Sequence, residues 1–187
     1  MRRLHKRLLV LSLVAGGSWL LSLDPPGEAP STAFSNERKA DYFLRHFEIV
    51  SMDLQGRPQR TLQAEQMEHF PLDDSTDLKK PVLHIHSAES PAWKVISKTG
   101  HMDSDGEQLT LNGPVRLHRP AAPGFQAITV DTHNVRVQLD KDLAETREAV
   151  DIKTGIHKMN GIGMKAIFRD PIQVRLLAKV GGIHAVQ

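Results

Sequence analysis

The chain has 187 residues, 40% of them hydrophobic and only 5% aromatic, with no cysteine. That is enough for one domain of ordinary size plus a tail, and it excludes both a disulfide framework and a thiolate site. The 24 Lys and Arg against 22 Asp and Glu suggest a basic protein. Four of those cations (Arg2, Arg3, Lys6 and Arg7) precede the first acid, however, and the remainder is slightly acidic, so it lacks the cationic stripe that nucleic acid requires.

Residues 1–7 form a short basic segment, expected to be cytoplasmic, and residues 8–23 an uncharged apolar run. As a helix that run reaches roughly 24 Å, short of a hydrocarbon core of about 30 Å, but Lys6 and Arg7 can snorkel. The alternative is a cleaved signal peptide, with Ala15-Gly16-Gly17 as its small-residue site. Trp19-Leu20-Leu21 continues the apolar run past that site, which favours an uncleaved transmembrane helix. Cations before the span and acids after it place the body across the membrane, in the periplasm if the membrane is a bacterial inner one. Residues 24–40, rich in Pro, Ala and Ser, read as a linker, and residues 41–187 as one all-β domain.

Within that domain a unit repeats every 33 residues, clearest from Trp93 to His118. Each copy alternates apolar residues, slips by one position and alternates again, as a strand does where it crosses from one sheet to another. The slips fall after Leu62 and Ala64 (to Met67), Val95 and Ser97 (to Gly100), Ile128 and Val130 (to His133), and Gly161 and Gly163 (to Ala166). Four copies imply stacked β units that bury one another's apolar faces. Strands are expected at Tyr42–Met52, from Gln59 to Phe70, from Pro81, and at Ile172–Leu177. Turns are expected at Asp53–Pro58, Pro71–Ser75, Asp103–Gly106, Asp140–Asp142, Asp170-Pro171 and, as a hairpin, Asn112-Gly113.

Few groups could do chemistry. His84 and His86 project from one strand face without a third metal ligand nearby, so solvent-facing histidines explain them better. The run from Asp103 to Glu107 resembles half a calcium loop but lacks flanking helices and the twelfth-position Glu. Asp73, Asp74 and Asp77 could imitate a hydrolase pair but read as a solvated loop. No nucleophile elbow, zinc-protease motif or Walker A sequence is present. The expectation is a non-enzyme without cofactor or metal. What remains is the inward face: Leu62, Leu83, Ile85, Val95, Val115, Leu117, Ile128, Val135, Val137, Val150 and Ile152, with small residues at the corners. An ordinary sandwich core accounts for it. An incompletely closed pair of sheets would make it a groove for acyl chains, each buried CH₂ contributing about 0.8 kcal/mol.

The order of the DYF opening at Asp41, RTLQAEQMEHF, KKPVLHI, W-x-V-x-S-x-x-G, LNGPVRLH, DLAETREAVDI and the terminal GIGM resembles the LptC family of lipopolysaccharide-transport proteins over nearly the whole chain. Ser97 stands where that motif usually has Ala. The resemblance implies a twisted antiparallel β-jellyroll, or β-taco, with lipid acyl chains between its two sheets. It also implies docking to an inner-membrane ATP-binding-cassette (ABC) transporter at one edge and to a periplasmic bridge protein of the jellyroll type at the other. The expected partner edge is either the segment from Met159 to Phe168, where Gly161 and Gly163 let backbones approach closely, or the strand Ile172–Leu177.

Overall fold

The computed structural model describes residues 38–169 and 172–183. The basic segment, the apolar span, residues 24–37 of the linker and the Asp170-Pro171 turn lie outside them. Among the described residues no helix is long and apolar enough to cross a membrane.

The described chain is one antiparallel sheet of ten strands: β1 (Tyr42–Met52), β2 (Pro58–Phe70), β3 (Ser75–Lys79), β4 (Val82–Ile85), β5 (Trp93–Met102), β6 (Gln108–Arg119), β7 (Ile128–Gln138), β8 (Leu143–Thr154), β9 (His157–Ile167) and β10 (Gln173–Ile183). The order is β1-β2-β3-β5-β6-β7-β8-β9-β10, and β4 completes the middle by pairing with β2 and β5. This all-β architecture, with turns at Asp53–Arg57, Asp103–Gly106 and Leu139–Asp142, is the one expected from the repeat. The carboxylate of Asp103 accepts the Gln108 amide (2.9 Å) and that of Asp105 the Glu107 amide (2.8 Å). Two of the three acids in the run from Asp103 to Glu107 therefore serve the turn.

Five long strands, β5, β6, β7, β8 and β10, break their register near the middle. The shifts fall between Ser97 and Thr99 in β5, Leu111 and Pro114 in β6, Asp131 and Arg136 in β7, Thr146 and Ala149 in β8, and Ala178 and Gly181 in β10. Together they form a fold line across the sheet. Left-handed backbone accompanies it at His46, Gly113, Asn134, Gly163 and Lys179. A kink frees backbone groups from the ladder, and buried ones must find partners. Hydroxyls supply them here. Ser97 Oγ donates to the Thr99 carbonyl (2.9 Å), Thr132 Oγ1 to that of Ala149 (2.8 Å) and Thr146 Oγ1 to that of His133 (2.7 Å). All three hydroxyl residues are buried. Asn134 Oδ1 accepts the Gly113 amide at 2.9 Å, joining the kinks of β6 and β7.

Three expectations need correction. Asn112-Gly113 is no hairpin, because β6 runs through it: Gly113 takes φ +75° at the fold line, the same backbone freedom put to a bend. In β7 the inward face is Val130, Thr132, Val135 and Val137, so the slip comes later than expected and His133 is exposed. The segment after Phe70 is not only a loop. Ser75–Lys79 forms β3, cut from β4 by Lys80 at φ +50° and by Pro81.

The fold line brings one half of the sheet over the other. Trp93 at the start of β5 meets Phe168 beyond β9 edge to face, ring centroids 5.7 Å apart, although three strands separate β5 from β9. Arg60 of β2 donates to the Leu139 carbonyl and pairs with Asp142 at 3.3 Å, both between β7 and β8. The enclosed core contains Leu78, Leu83, Trp93, Val95, Leu109, Leu111, Val130, Val135 and Met164.

Candidate lipid cleft and sheet edges

The same fold line leaves the sheet unequally closed. The buried core runs from β2 to β9. Beside β10 lies an apolar cleft of about 410 Å³, lined by Ile128 and Val130 of β7, Ile152 and Thr154 of β8, Met159 of β9, and Val174, Arg175, Leu176 and Val180 of β10. Met159, Val174 and Val180 are 41%, 39% and 62% exposed. Arg175 is the one charged residue of this lining. The chemistry offered is an aliphatic trough with a cation at its side: it can hold hydrocarbon and, nearby, an anionic group.

Of the eleven inward residues expected to line a groove, only Ile128 and Ile152 reach this cleft. Leu62, Leu83, Ile85, Val95, Val115, Leu117, Val135, Val137 and Val150 lie in the closed core, each at most 8% exposed. Val174 and Leu176 fall in the strand expected at Ile172–Leu177. Met159 and Val180 had shown nothing, because they belong to the site only through the folding of β10 over β9.

Among the described residues both outer strands present free edges. β1 bonds only to β2, and every residue in it except Phe47 is exposed; β10 bonds only to β9. Gly161 and Gly163 are not the edge. They sit in β9, which pairs with β8 on one side and β10 on the other, and both are buried. Their small size lets β10 pack closely against them. A Cβ on Gly161 would meet the Ala178 carbonyl at 3.2 Å; one on Gly163, at φ +74°, would meet Leu177 at 3.1 Å. Of the two segments expected as the partner edge, the outer one is the second, in β10.

The titratable groups do not converge on a catalytic centre. His84 and His86 stack at 6.5 Å, His86 Nε2 lies 3.0 Å from Thr61 Oγ1, and burial pushes the His84 imidazole pKa down, with Lys94 adding to the effect. No group of three or more metal-ligating side chains occurs among the described residues. Asp73, Asp74 and Asp77 each have a partner already: Ser75, His69, and Arg38 with His101. Glu65, bonded by Lys79 and Lys80, has its pKa pushed down to about 2 and stays ionised.

Comparison with known proteins accords with this geometry. A family model described as "LptC: Lipopolysaccharide-assembly, LptC-related" matches residues 8–185. No curated protein matches the chain by sequence. Among solved structures, the fold is similar to that of LptH from Pseudomonas aeruginosa, titled the LptA homologous periplasmic component of the conserved lipopolysaccharide transport device. The TM-score is 0.51 at 12% identity, covering 68% of this chain and 95% of that one. At that identity the likeness concerns the fold alone.

Proposed function

The chain belongs to the LptC-related lipopolysaccharide-assembly family, and on that premise we propose that it holds lipopolysaccharide by its acyl chains and passes it along the export path. Its role is that of a non-enzymatic β scaffold in lipopolysaccharide transport. In the reading we favour, residues 8–23 anchor the chain in the inner membrane with the N-terminus cytoplasmic and the β body periplasmic. An ABC transporter delivers the lipid and supplies the free energy. A periplasmic bridge protein of the jellyroll type receives it by adding a strand to β10.

One observation carries the lipid step. The opening beside β10 is apolar and exposed, and it lies next to the free edge where a second jellyroll would continue the sheet. A chain sliding out of the cleft thus meets the partner's interior before it meets water. Arg175 can pair with an anionic headgroup group while the acyl chain lies against Ile128, Ile152 and Leu176. Each CH₂ kept from water contributes about 0.8 kcal/mol, comparable with what a bilayer offers, so transfer in either direction need not be steeply uphill.

A second reading, a scaffold that binds only proteins, has its own support: nine of the eleven inward residues are buried in a closed core. The two separate on a simple preparation. The full chain, extracted in mild detergent from cells that make lipopolysaccharide, is expected to carry that lipid through purification. A chain that comes out lipid-free while still binding its protein partners would favour the scaffold.

A further inference from the structure

The first half of β1 is exposed on both faces, and among the described residues its only strand neighbour is β2. At its start, three elements meet around one imidazole. His69, near the end of β2, places Nδ1 2.7 Å from Asp41 Oδ1 and Nε2 2.9 Å from Asp74 Oδ1. Asp41 directly precedes β1, and Asp74 lies in the β2–β3 turn at φ +53°. Tyr42 stacks on the His69 ring, centroids 4.5 Å apart and planes within 14°. The His69 side chain is 14% exposed.

Both ring nitrogens face carboxylate oxygens, which only accept. A neutral imidazole has one N–H and one lone pair, so in that form one of the two contacts would set lone pair against carboxylate. Only the imidazolium satisfies both. We propose that Asp41, His69 and Asp74, with Tyr42 on the imidazole, form a proton-dependent clasp that fastens the start of edge strand β1 to the β2–β3 turn.

The surrounding charges fit this assignment. Arg38 donates to Asp77 (2.7 Å) and to Ser75 Oγ (2.7 Å), approaches Asp73 at 3.7 Å, and lies 3.9 Å from the Phe70 ring centroid. On β5, His101 Nδ1 is 2.7 Å from Asp77. Asp73 and Asp77 are thus engaged elsewhere, which leaves His69 as the group that titrates between Asp41 and Asp74. The bonds to Asp41 and then Asp74 raise the imidazole pKa, and the His69 bond lowers that of Asp41. The signs define a window. The His69 contribution is fully present below the ordinary histidine pKa and is lost as pH rises through the raised one. The Asp41 contribution is present above the ordinary aspartate pKa and is lost as pH falls through the lowered one. The clasp is therefore closed in mild acid and opens as pH rises through the raised histidine pKa. Its opening would free the first half of edge strand β1, and it depends in no way on the lipid reading.

Hydrogen exchange on the full chain, corrected for intrinsic rates, tests this. Protection of the amides of residues 42–45, relative to those of β6, is expected to fall by about tenfold or more between about pH 6 and about pH 9. His69→Gln should show the low value throughout. Asp74→Asn, a milder change in an exposed turn, should keep the fold and move the midpoint down toward the ordinary histidine value. A constant ratio across that range in the native chain would overturn the clasp, as would an unaltered midpoint in Asp74→Asn.

Discussion

Trp93→Ala is expected to cost about 3–5 kcal/mol of stability, a large share of the 5–15 kcal/mol that typically holds a domain folded. Trp93 is 1% exposed and joins the two halves of the sheet through Phe168. Arg119 lies 5.7 Å from its ring and 5.2 Å from that of Phe125, so the residue also anchors the loop between β6 and β7. Removing the indole leaves a cavity where the halves must press together, and neighbouring backbone locked in a ladder can collapse only partly. Denaturant unfolding of the full chain, followed by circular dichroism, measures this. A loss under about 1 kcal/mol would mean that Trp93 does not hold the halves together.

The second large effect concerns lipid and leaves stability nearly unchanged. Val174→Glu combined with Val180→Glu puts two carboxylates into the apolar cleft at positions already 39% and 62% exposed. Water reaches both sites, so the charges stay hydrated and folding loses little. An acyl chain lying there would have to strip that water, at a cost of several kcal/mol per charge. Lipopolysaccharide bound per chain is expected to drop by tenfold or more, the change that about 1.4 kcal/mol produces. The melting temperature should move by only a few degrees. The same double substitution in a scaffold that bound only proteins would leave co-purified lipid unaltered. A buried position such as Val115, 2% exposed, cannot make this distinction, because an inserted cation there unfolds the core under either reading.

Much of this architecture could be read from residue order. The alternation of Val95, Ser97, Gly100 and Met102 carries both the strand and its kink, because one slipped position reverses every later side chain. Three things were hidden. Asn-Gly commonly turns a hairpin, but positive φ at Gly113 equally permits a bend, and only the pairing of Pro114 with His133 distinguishes them. The strand β3 reads STDLK, polar at most positions, because one side carries the Asp77 network with Arg38 and His101 while Leu78 alone enters the core. Gly161 and Gly163 suggested an edge because glycine lets backbones approach; the approaching backbone is this chain's own β10. The cleft was the least legible feature. Ile128, Ile152 and Val180 are far apart in sequence, and nothing in any one of them distinguishes a cleft wall from a core residue.

The central claim is that lipid lies on the inward face beside β10. Photo-reactive residues placed at Ile128, Val174 and Leu176 in the full chain, illuminated in cells exporting lipopolysaccharide, address it most directly. Thr129, Lys153 and Arg116 are the controls; each is the outward neighbour of an inward residue, one step along a strand that reverses the face. The account predicts lipopolysaccharide adducts from the first three positions and few from the controls. Equal adducts from both faces, or none from Ile128, Val174 and Leu176, would contradict it.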